Sequence, residues 1–154
     1  ILKKLQINEK YFKKAKKIFR EESIKNFNLI KTYPNVKETI LYLKKNKNYK
    51  LAVLTSKERS RTIRILRRLK LKFDYIQCPI NGKKGKPDPF LLNNLLKKTH
   101  HKKDCCYYIG DTLVDLNFSK NCKIKFIFCK YGYGKINQKK VTKVDNFKKI
   151  LNFI

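Results

Sequence analysis

The sequence predicts an α/β fold, a three-layer Rossmann-like arrangement in which helices cover both faces of a parallel sheet. Two observations support this class. Short apolar runs typical of buried strands alternate along the chain with stretches whose apolar residues recur at helical spacing. Such alternation indicates parallel strands joined by right-handed helical crossovers. The 154 residues, 42% of them hydrophobic, are enough for one domain with its own core.

The first part of the chain is predicted to be helical. Residues 1–31 interleave lysines with apolar side chains such as Phe12 and Ile18, which is an amphipathic pattern. A turn at Tyr33-Pro34-Asn35-Val36 then opens a second helix that runs to about Leu43, because proline and asparagine favour turns.

The later elements follow from the length and spacing of the apolar runs. A short continuous run predicts a strand, whereas apolar residues three or four positions apart predict a helix. Strands are expected at 49–54, 73–78, 105–109 and 124–129, and helices at 58–69, 90–98, 111–121 and 144–154. A Gly/Lys/Pro loop at 81–89 and a Tyr-Gly-Tyr-Gly loop at 131–134 separate some of them.

The net charge of +29 would ordinarily suggest a polyanionic partner. The lysines, however, are spread along the whole chain, together with abundant Ile, Asn, Phe and Tyr. This distribution favours a general compositional drift in which lysine fills solvated positions. We therefore expect no nucleic-acid partner, and keep polyanion binding as an alternative.

Cysteine usage and hydropathy point to the cytoplasm and away from a membrane. The five cysteines form no zinc-type C-x-x-C pair, and Cys105, Cys106 and Cys129 lie in apolar runs, where we expect small buried hydrophobes. The sequence contains no stretch typical of a signal peptide and no apolar run of membrane-spanning length.

A pair of aspartates at the end of an apolar run is the clearest chemical pattern. Asp111 follows the predicted strand directly, and Asp115 comes four residues later in the first helical turn. Two carboxylates at this spacing share one face and make an all-oxygen site that suits Mg²⁺. A structural explanation stays open, in which Asp111 is a helix N-cap and Asp115 a solvated helix residue.

Two further candidates lie next to predicted strands. Thr55 and Ser56 end one strand and precede a helix, so their hydroxyls and the first helical amides could hold a phosphate oxygen. An ordinary N-cap role is the alternative. Lys86 lies in the segment Gly85-Lys86-Pro87-Asp88-Pro89, whose prolines restrict the backbone and fix the direction of the lysine.

These three segments, in this order and spacing, resemble motifs two, three and four of the haloacid dehalogenase-like hydrolases. Tyr33-Pro34-Asn35-Val36 is similar to that family's entry to its core after a helical cap, with Asn35 where glycine is usual. The loop Tyr131-Gly132-Tyr133-Gly134 is similar to a segment of the phosphoglycolate phosphatase-like branch. The resemblance spans roughly residues 31 to 134.

The resemblance implies Mg²⁺-assisted phosphoryl transfer to water through an aspartyl-phosphate, on a small phosphorylated metabolite. It implies that the Thr55 hydroxyl and the Ser56 amide bind the phosphate. Lys86 would balance the charge of the nucleophile and the phosphoryl group. Asp111 would bind Mg²⁺ directly, and Asp115 would bind it directly, bind it through water, or orient Lys86.

One part of the family pattern is missing. The first motif, Asp-x-Asp-x-Thr, supplies the nucleophile from the central strand, but the first aspartate of this chain is Asp74. We therefore expect a C-terminal fragment that is inactive by itself. In this interpretation residues 1–31 are the remnant of a helical cap, and residues 32–154 are a core without its central strand, whose loss leaves neighbouring backbone groups unpaired.

Two alternatives from other classes remain open. The chain could be a non-catalytic scaffold of the same fold that acts through protein contacts. It could also be a basic module that binds nucleic acid, with tyrosine and phenylalanine stacking on bases. We rank the phosphatase first, the scaffold second and the nucleic-acid module third.

Overall fold

The computed structural model describes residues 8–154, and the chain divides into two compact units, Ile1–Lys31 and Thr32–Ile154. In the first unit, helix α1 spans Phe12–Lys25 between two 3₁₀ helices, Glu9–Tyr11 and Asn26–Leu29. The described part of this unit is therefore helical, as expected. The prediction of helix over residues 1–7 lies outside the described residues.

The second unit alternates helices with short strands. Its elements in chain order are α2 (Val36–Lys45), β1 (Ala52–Leu54), α3 (Arg59–Arg68), β2 (Tyr75–Gln77), α4 (Phe90–Thr99), a 3₁₀ turn (Lys103–Cys105), β3 (Tyr107–Gly110), α5 (Leu113–Cys122), β4 (Lys125–Cys129), β5 (Thr142–Val144) and a 3₁₀ helix, Phe147–Asn152. Every paired strand runs parallel to its neighbour. The α/β class is thus confirmed.

Asn35 forms the turn that opens α2. Its backbone is left-handed, with φ of 61° and ψ of 0°. Among residues with a side chain, asparagine adopts this conformation more readily than most. The asparagine therefore supplies the backbone geometry for which glycine would otherwise be the usual choice.

The strands form two separate hydrogen-bonded sheets, and both are parallel. Within residues 8–154, β1 pairs only with β2, and the second sheet has the order β3-β4-β5. Side-chain packing still links the two, since Leu54 of β1 packs against the buried cluster of Leu92, Phe118 and Cys122. One lateral edge of β1 and one of β3 thus have no strand partner in the described part of the chain.

The prediction of a closing helix over residues 144–154 is wrong for its first residues. Residues Thr142–Val144 form β5, which pairs with Ile127–Cys129 of β4, and the helix that follows is 3₁₀ and begins at Phe147. Val144 is only 2% exposed. Pairing with β4 and burial on the sheet therefore determine that residues 142–144 form a strand, whereas the local spacing of apolar residues suggested a helix.

All five cysteines have free thiols. Cys129, Cys122 and Cys78 are buried, and Cys106 is half-buried. Cys105 is exposed, contrary to its predicted burial, because it ends a 3₁₀ turn, Lys103–Cys105, that precedes β3. No helix in the described range of residues 8–154 has the length and apolarity needed to cross a membrane.

We predict that Phe118 is the side chain on which the packing of α5 most depends. It is 0% exposed and its ring lies 4.9 Å from the ring of Tyr108. Phe118→Ala should lower the free energy of unfolding by about 3–5 kcal/mol, because it leaves a cavity. Phe153, which is 44% exposed, is the matched control. Urea titration should give Phe153→Ala a loss below about 1 kcal/mol, and similar losses in both variants would contradict the prediction.

Candidate active site

A buried ion pair joins the loop after β2 to the helix after β3. The Lys86 ammonium donates a hydrogen bond of 2.7 Å to Oδ1 of Asp115, and their side chains are 12% and 9% exposed. Asn121 of α5 donates a further hydrogen bond of 3.0 Å to the carbonyl of Pro87, which ties the lysine loop to α5. Two residues 29 positions apart in sequence are therefore held together at the carboxyl ends of β2 and β3.

Tyr108 completes this cluster from within β3. Its hydroxyl accepts a hydrogen bond of 2.9 Å from Lys86 and donates one of 3.2 Å to Oδ1 of Asp115. Burial, and after it the neighbouring Asp115 carboxylate, raise the pKa of the Tyr108 phenol well above its usual range. Tyr108 is thus a neutral donor and acceptor that fixes both ions of the pair.

The other oxygen of Asp115 is bound by the backbone and side chain at the start of α5. Oδ2 accepts hydrogen bonds from the Thr112 hydroxyl at 2.6 Å, the Thr112 amide at 3.1 Å and the Asp111 amide at 3.3 Å. Thr112 in turn caps the helix by accepting from the Asp115 amide. The N-cap is therefore Thr112 and not Asp111, and Asp115 is buried rather than solvated.

Opposing effects act on the pKa of Asp115. Burial alone would raise it, but the hydrogen bonds from Lys86 and Thr112 and the positive charge of Lys86 outweigh burial, so the pKa lies below its ordinary value. Asp115 is consequently a carboxylate at neutral pH.

Asp111 is held by the Tyr-Gly-Tyr-Gly loop. Its Oδ2 accepts a hydrogen bond of 2.8 Å from the Tyr133 amide, and its carbonyl accepts one of 2.9 Å from the Gly134 amide. At Gly132 an added Cβ would lie 2.2 Å from the Asp111 Cβ, so only glycine allows this approach. The loop after β4 therefore determines where the Asp111 carboxylate lies.

Thr55 and Ser56 lie where the sequence places them, directly after β1. The Thr55 amide donates to the Gln77 carbonyl at 3.1 Å, and its hydroxyl accepts from the Lys57 amide at 3.1 Å. Neither residue is the N-cap of α3, which is Glu58. Of the predicted site residues, Lys86, Asp111 and Asp115 are joined by hydrogen bonds. The hydrogen bonds of Thr55 lie within β1, β2 and its own turn, so neither Thr55 nor Ser56 is joined to that cluster in the described residues.

The oxygen donors fit part of a Mg²⁺ site. Residues 8–154 contain no group of three or more His, Cys, Asp or Glu side chains that could hold a metal ion. Both oxygens of Asp115 accept hydrogen bonds within the protein, which leaves Asp111 as the better ligand. Mg²⁺ usually binds one or two carboxylates and takes its other ligands from water and phosphate, so one carboxylate here is compatible with it.

Three contributors to this geometry could not be recognised in the sequence. In the sequence, Tyr108 looks like any other residue of an apolar strand. Thr112 occupies one of the three positions between the two aspartates for which the motif specifies no residue type. No residue type marks the backbone amide of Tyr133 as a hydrogen-bond donor to Asp111. The glycines on either side of Tyr133 are the one indication in the sequence, because glycine permits close approach of a backbone.

The structure is that of an α/β protein with parallel sheets and a lysine–aspartate pair at the carboxyl ends of its strands. Comparison with known proteins identifies the family. The model of the haloacid dehalogenase-like hydrolase family matches residues 1–129. The chain therefore belongs to this family, as its motifs indicated. No curated protein sequence matches it.

Several solved structures are similar to the chain. One from Haemophilus somnus 129PT, provisionally assigned as a phosphoglycolate phosphatase, is 28% identical over 98% of this chain and 71% of its own, with a TM-score of 0.83. A provisionally assigned phosphatase from Clostridium difficile is 26% identical over 98% and 74%, with a TM-score of 0.81.

A third similar structure, from Lactobacillus delbrueckii, is 24% identical with a TM-score of 0.69, which supports the fold. The match covers 77% of this chain and 51% of that protein, so here the chain spans about half the length of its relative.

We predict that Asp115→Asn destabilises the protein at neutral pH, because it leaves the Lys86 charge buried without its partner. The loss should be about 3 kcal/mol. Because the folded-state pKa of Asp115 is depressed, its contribution is present above the unfolded value of about 3.9 and is lost as the pH falls through the lower folded value. The difference in unfolding free energy between wild type and variant should therefore shrink below about pH 4.

The matched control for this measurement is Asp145→Asn, which breaks the exposed Lys149–Asp145 pair. That change should cost much less than Asp115→Asn at neutral pH, because solvent screens an exposed pair. Urea titrations from neutral to acidic pH measure both variants, and a difference for Asp115→Asn that does not depend on pH would contradict the assignment.

We further predict that Gly132→Ala displaces Asp111. The added methyl group would overlap the Asp111 side chain, so the variant should lose about 1–3 kcal/mol and shift the Tyr133 amide resonance in NMR spectra. Gly85→Ala is the control, since nothing lies within 4 Å of a Cβ at that position. Equal effects of the two substitutions would refute a steric role for Gly132.

Proposed function

We propose that this chain carries the metal- and lysine-bearing part of a Mg²⁺-dependent phosphohydrolase that acts on a small phosphorylated metabolite in the cytoplasm. One observation carries the proposal. A buried Lys86–Asp115 pair lies beside Asp111 at the carboxyl ends of parallel strands. Family membership supports hydrolysis as the reaction, and the similarity to provisionally assigned phosphatases supports phosphoesters as the substrates.

Lys86 is proposed to neutralise negative charge on the phosphoryl group and on its attacking nucleophile. Its ammonium group has three protons, and hydrogen bonds to Asp115 and the Tyr108 hydroxyl use two of them. We expect a phosphoryl oxygen to accept the third. Asp115 and Tyr108 would act as positioning residues, because they hold the ammonium group in place before substrate binds.

Asp111 is proposed to hold Mg²⁺, with Asp115 acting through Lys86 and the Asp111 amide rather than as a direct ligand. When bound, the ion would offset the charge of the phosphoryl oxygens. The hydrogen bond from the Tyr133 amide keeps the Asp111 carboxylate in one orientation. The Thr55 hydroxyl and the Ser56 amide would contribute donors to the phosphate, as the family pattern implies.

The nucleophile has to come from outside these 154 residues. No aspartate precedes Asp74, and Asp74 is engaged by the Lys44 ammonium and the Leu51 amide. We propose that a strand bearing the first motif belongs beside β1 and β3, each of which has one unpaired edge within the described residues. The 154-residue chain by itself would then bind phosphate without turning over a phosphoester, and residues 1–31 would be part of a cap.

A non-catalytic scaffold of the same fold is the second candidate. The observation that favours it is the absence of Asp-x-Asp-x-Thr from the chain. A scaffold would not need a buried lysine that keeps one proton for a phosphoryl oxygen, which is the role proposed here for Lys86. For this reason we rank the hydrolase first.

The proposal predicts the outcome of a reconstitution experiment. The chain alone should not hydrolyse p-nitrophenyl phosphate, whereas the chain fused to a family strand carrying Asp-x-Asp-x-Thr should do so in a Mg²⁺-dependent manner. In that fusion, Asp111→Asn and Lys86→Gln should each lower kcat by about 100-fold or more, because phosphoryl transfer depends on charge neutralisation.

Asp145→Asn is the control in the same assay, because that carboxylate lies in an exposed pair outside the site. It should leave turnover within about twofold of the parent fusion. Hydrolysis by the unfused chain would disprove the need for an external nucleophile. Unchanged turnover of the Asp111→Asn fusion would remove Asp111 from the mechanism.

A further inference from the structure

The arginines of this chain are distributed quite differently from its lysines. Five of the six arginines lie in α3, at positions 59, 61, 64, 67 and 68, and no lysine lies between residues 59 and 68. Elsewhere the chain has 34 lysines and one arginine. A drift that fills solvated positions with lysine does not account for a helix whose cations are all arginine.

The arginines of α3 lie mainly on its outer face. Arg61, Arg64 and Arg68 fall within about 60° of one another around the helix axis, and Arg67 is next to them. Arg64, Arg67 and Arg68 are exposed, and Arg61 is half-buried. The opposite side of the helix carries the buried Thr62. We call Arg61, Arg64, Arg67 and Arg68 the arginine face.

An ordinary solvated helix surface does not explain this face. Surface helices gain stability from cations spaced three or four residues from acids. The N-cap Glu58 lies three residues before Arg61, but the sequence has no acid three or four positions from Arg64, Arg67 or Arg68. Four cations close together on one helix repel each other. Arginine and lysine also have similar helix propensities, so helix formation gives no reason to prefer arginine.

What distinguishes arginine is its chemistry toward phosphate. The guanidinium group is planar and presents five N–H donors in a rigid fork that pairs with two phosphate oxygens, whereas lysine offers a point charge. With five donors, an arginine that also contacts a protein neighbour can still bind an oxyanion. The arginine face therefore suits a ligand that carries several phosphates.

The spacing and surroundings favour a chain of phosphates over a lipid surface. Arg61, Arg64 and Arg68 follow one another at about 4.5 and 6 Å along the helix axis, so they form a row of cations that can contact the phosphates of one strand. Helices that lie on membranes insert large apolar side chains, but no large hydrophobic residue of α3 is among the exposed ones in the described structure.

A groove of about 330 Å³ beside the arginine face extends this surface. Its rim carries Arg67, Lys44 and Lys72, and its apolar lining includes Phe73. Asp74 partly offsets the rim charge through its pair with Lys44. Cations next to an apolar, partly aromatic surface are the combination that binds single-stranded nucleic acid, because bases rest on the apolar part.

We propose that the arginine face of α3 binds the sugar–phosphate backbone of single-stranded nucleic acid without regard to sequence. The expectation against a nucleic-acid partner rested on the even spread of the lysines, and the arginines do not share that spread. The hydrogen bonds described for Lys86, Asp111 and Asp115 involve no residue of α3, and the oligonucleotide assay measures no hydrolysis, so this inference is tested independently of the phosphohydrolase proposal.

Fluorescence anisotropy of a labelled oligothymidylate, titrated with the 154-residue chain at several salt concentrations, tests the proposal. The triple variant Arg61→Gln, Arg64→Gln, Arg68→Gln should weaken binding about tenfold or more and reduce the slope of log K against log salt by about 2. The charge-matched control is Lys98→Gln, Lys139→Gln, Lys140→Gln, which removes three exposed cations elsewhere. It should change the affinity by less than about threefold.

A second triple variant, with lysine at positions 61, 64 and 68, keeps the charge and removes the guanidinium forks. Its slope of log K against log salt should stay near that of wild type, while its affinity for the oligonucleotide falls several-fold. If circular dichroism shows that the glutamine variant is unfolded, the lysine variant alone tests the proposal. Three outcomes would overturn the proposal. The first is an equal loss of affinity when glutamine replaces the three arginines and when it replaces the three control lysines. The second is full affinity of the variant with lysine at positions 61, 64 and 68. The third is arginine-dependent binding to phosphatidylserine vesicles without binding to the oligonucleotide.

Discussion

The buried ion pair between Lys86 and Asp115 is the constraint on which the candidate site depends. Burying a lone charge is unfavourable by several kcal/mol, so each ion requires the other and every remaining polar atom around them requires a partner. Tyr108 and Thr112 satisfy that requirement from β3 and from the N-terminus of α5. The pair thus ties the loop after β2 to the helix after β3 and sets the position of the lysine.

The two aspartates of the site have different hydrogen-bond partners. Hydrogen bonds from the protein occupy both oxygens of Asp115, so that carboxylate holds the lysine and caps the helix. Asp111 is positioned instead by backbone amides of the loop after β4, at a distance that glycine alone permits. Residues four apart in one motif therefore have different partners and, in our proposal, different roles.

The sheet imposes a constraint of another kind. Because β1 and β3 each lack a strand partner on one side in the described residues, the two sheets are joined by side-chain packing rather than by backbone hydrogen bonds. Parallel strands are normally paired on both sides in the interior of such folds. The unpaired edges and the absence of Asp-x-Asp-x-Thr from the sequence both support our proposal that a further strand bearing the first motif belongs beside β1 and β3.

The sequence by itself determined the fold class, the order of most elements and the family, because apolar periodicity and short motifs are local properties. It also singled out Lys86, Asp111 and Asp115 as candidates, and the structure joins these three residues by hydrogen bonds. The sequence did not determine strand β5 or the N-cap role of Thr112. It also gave no reason to single out Tyr108, since a tyrosine in an apolar strand has the same local signature whether or not its hydroxyl meets an ion pair. Those features depend on contacts between residues far apart in the chain, and only the tertiary structure decides which groups meet there.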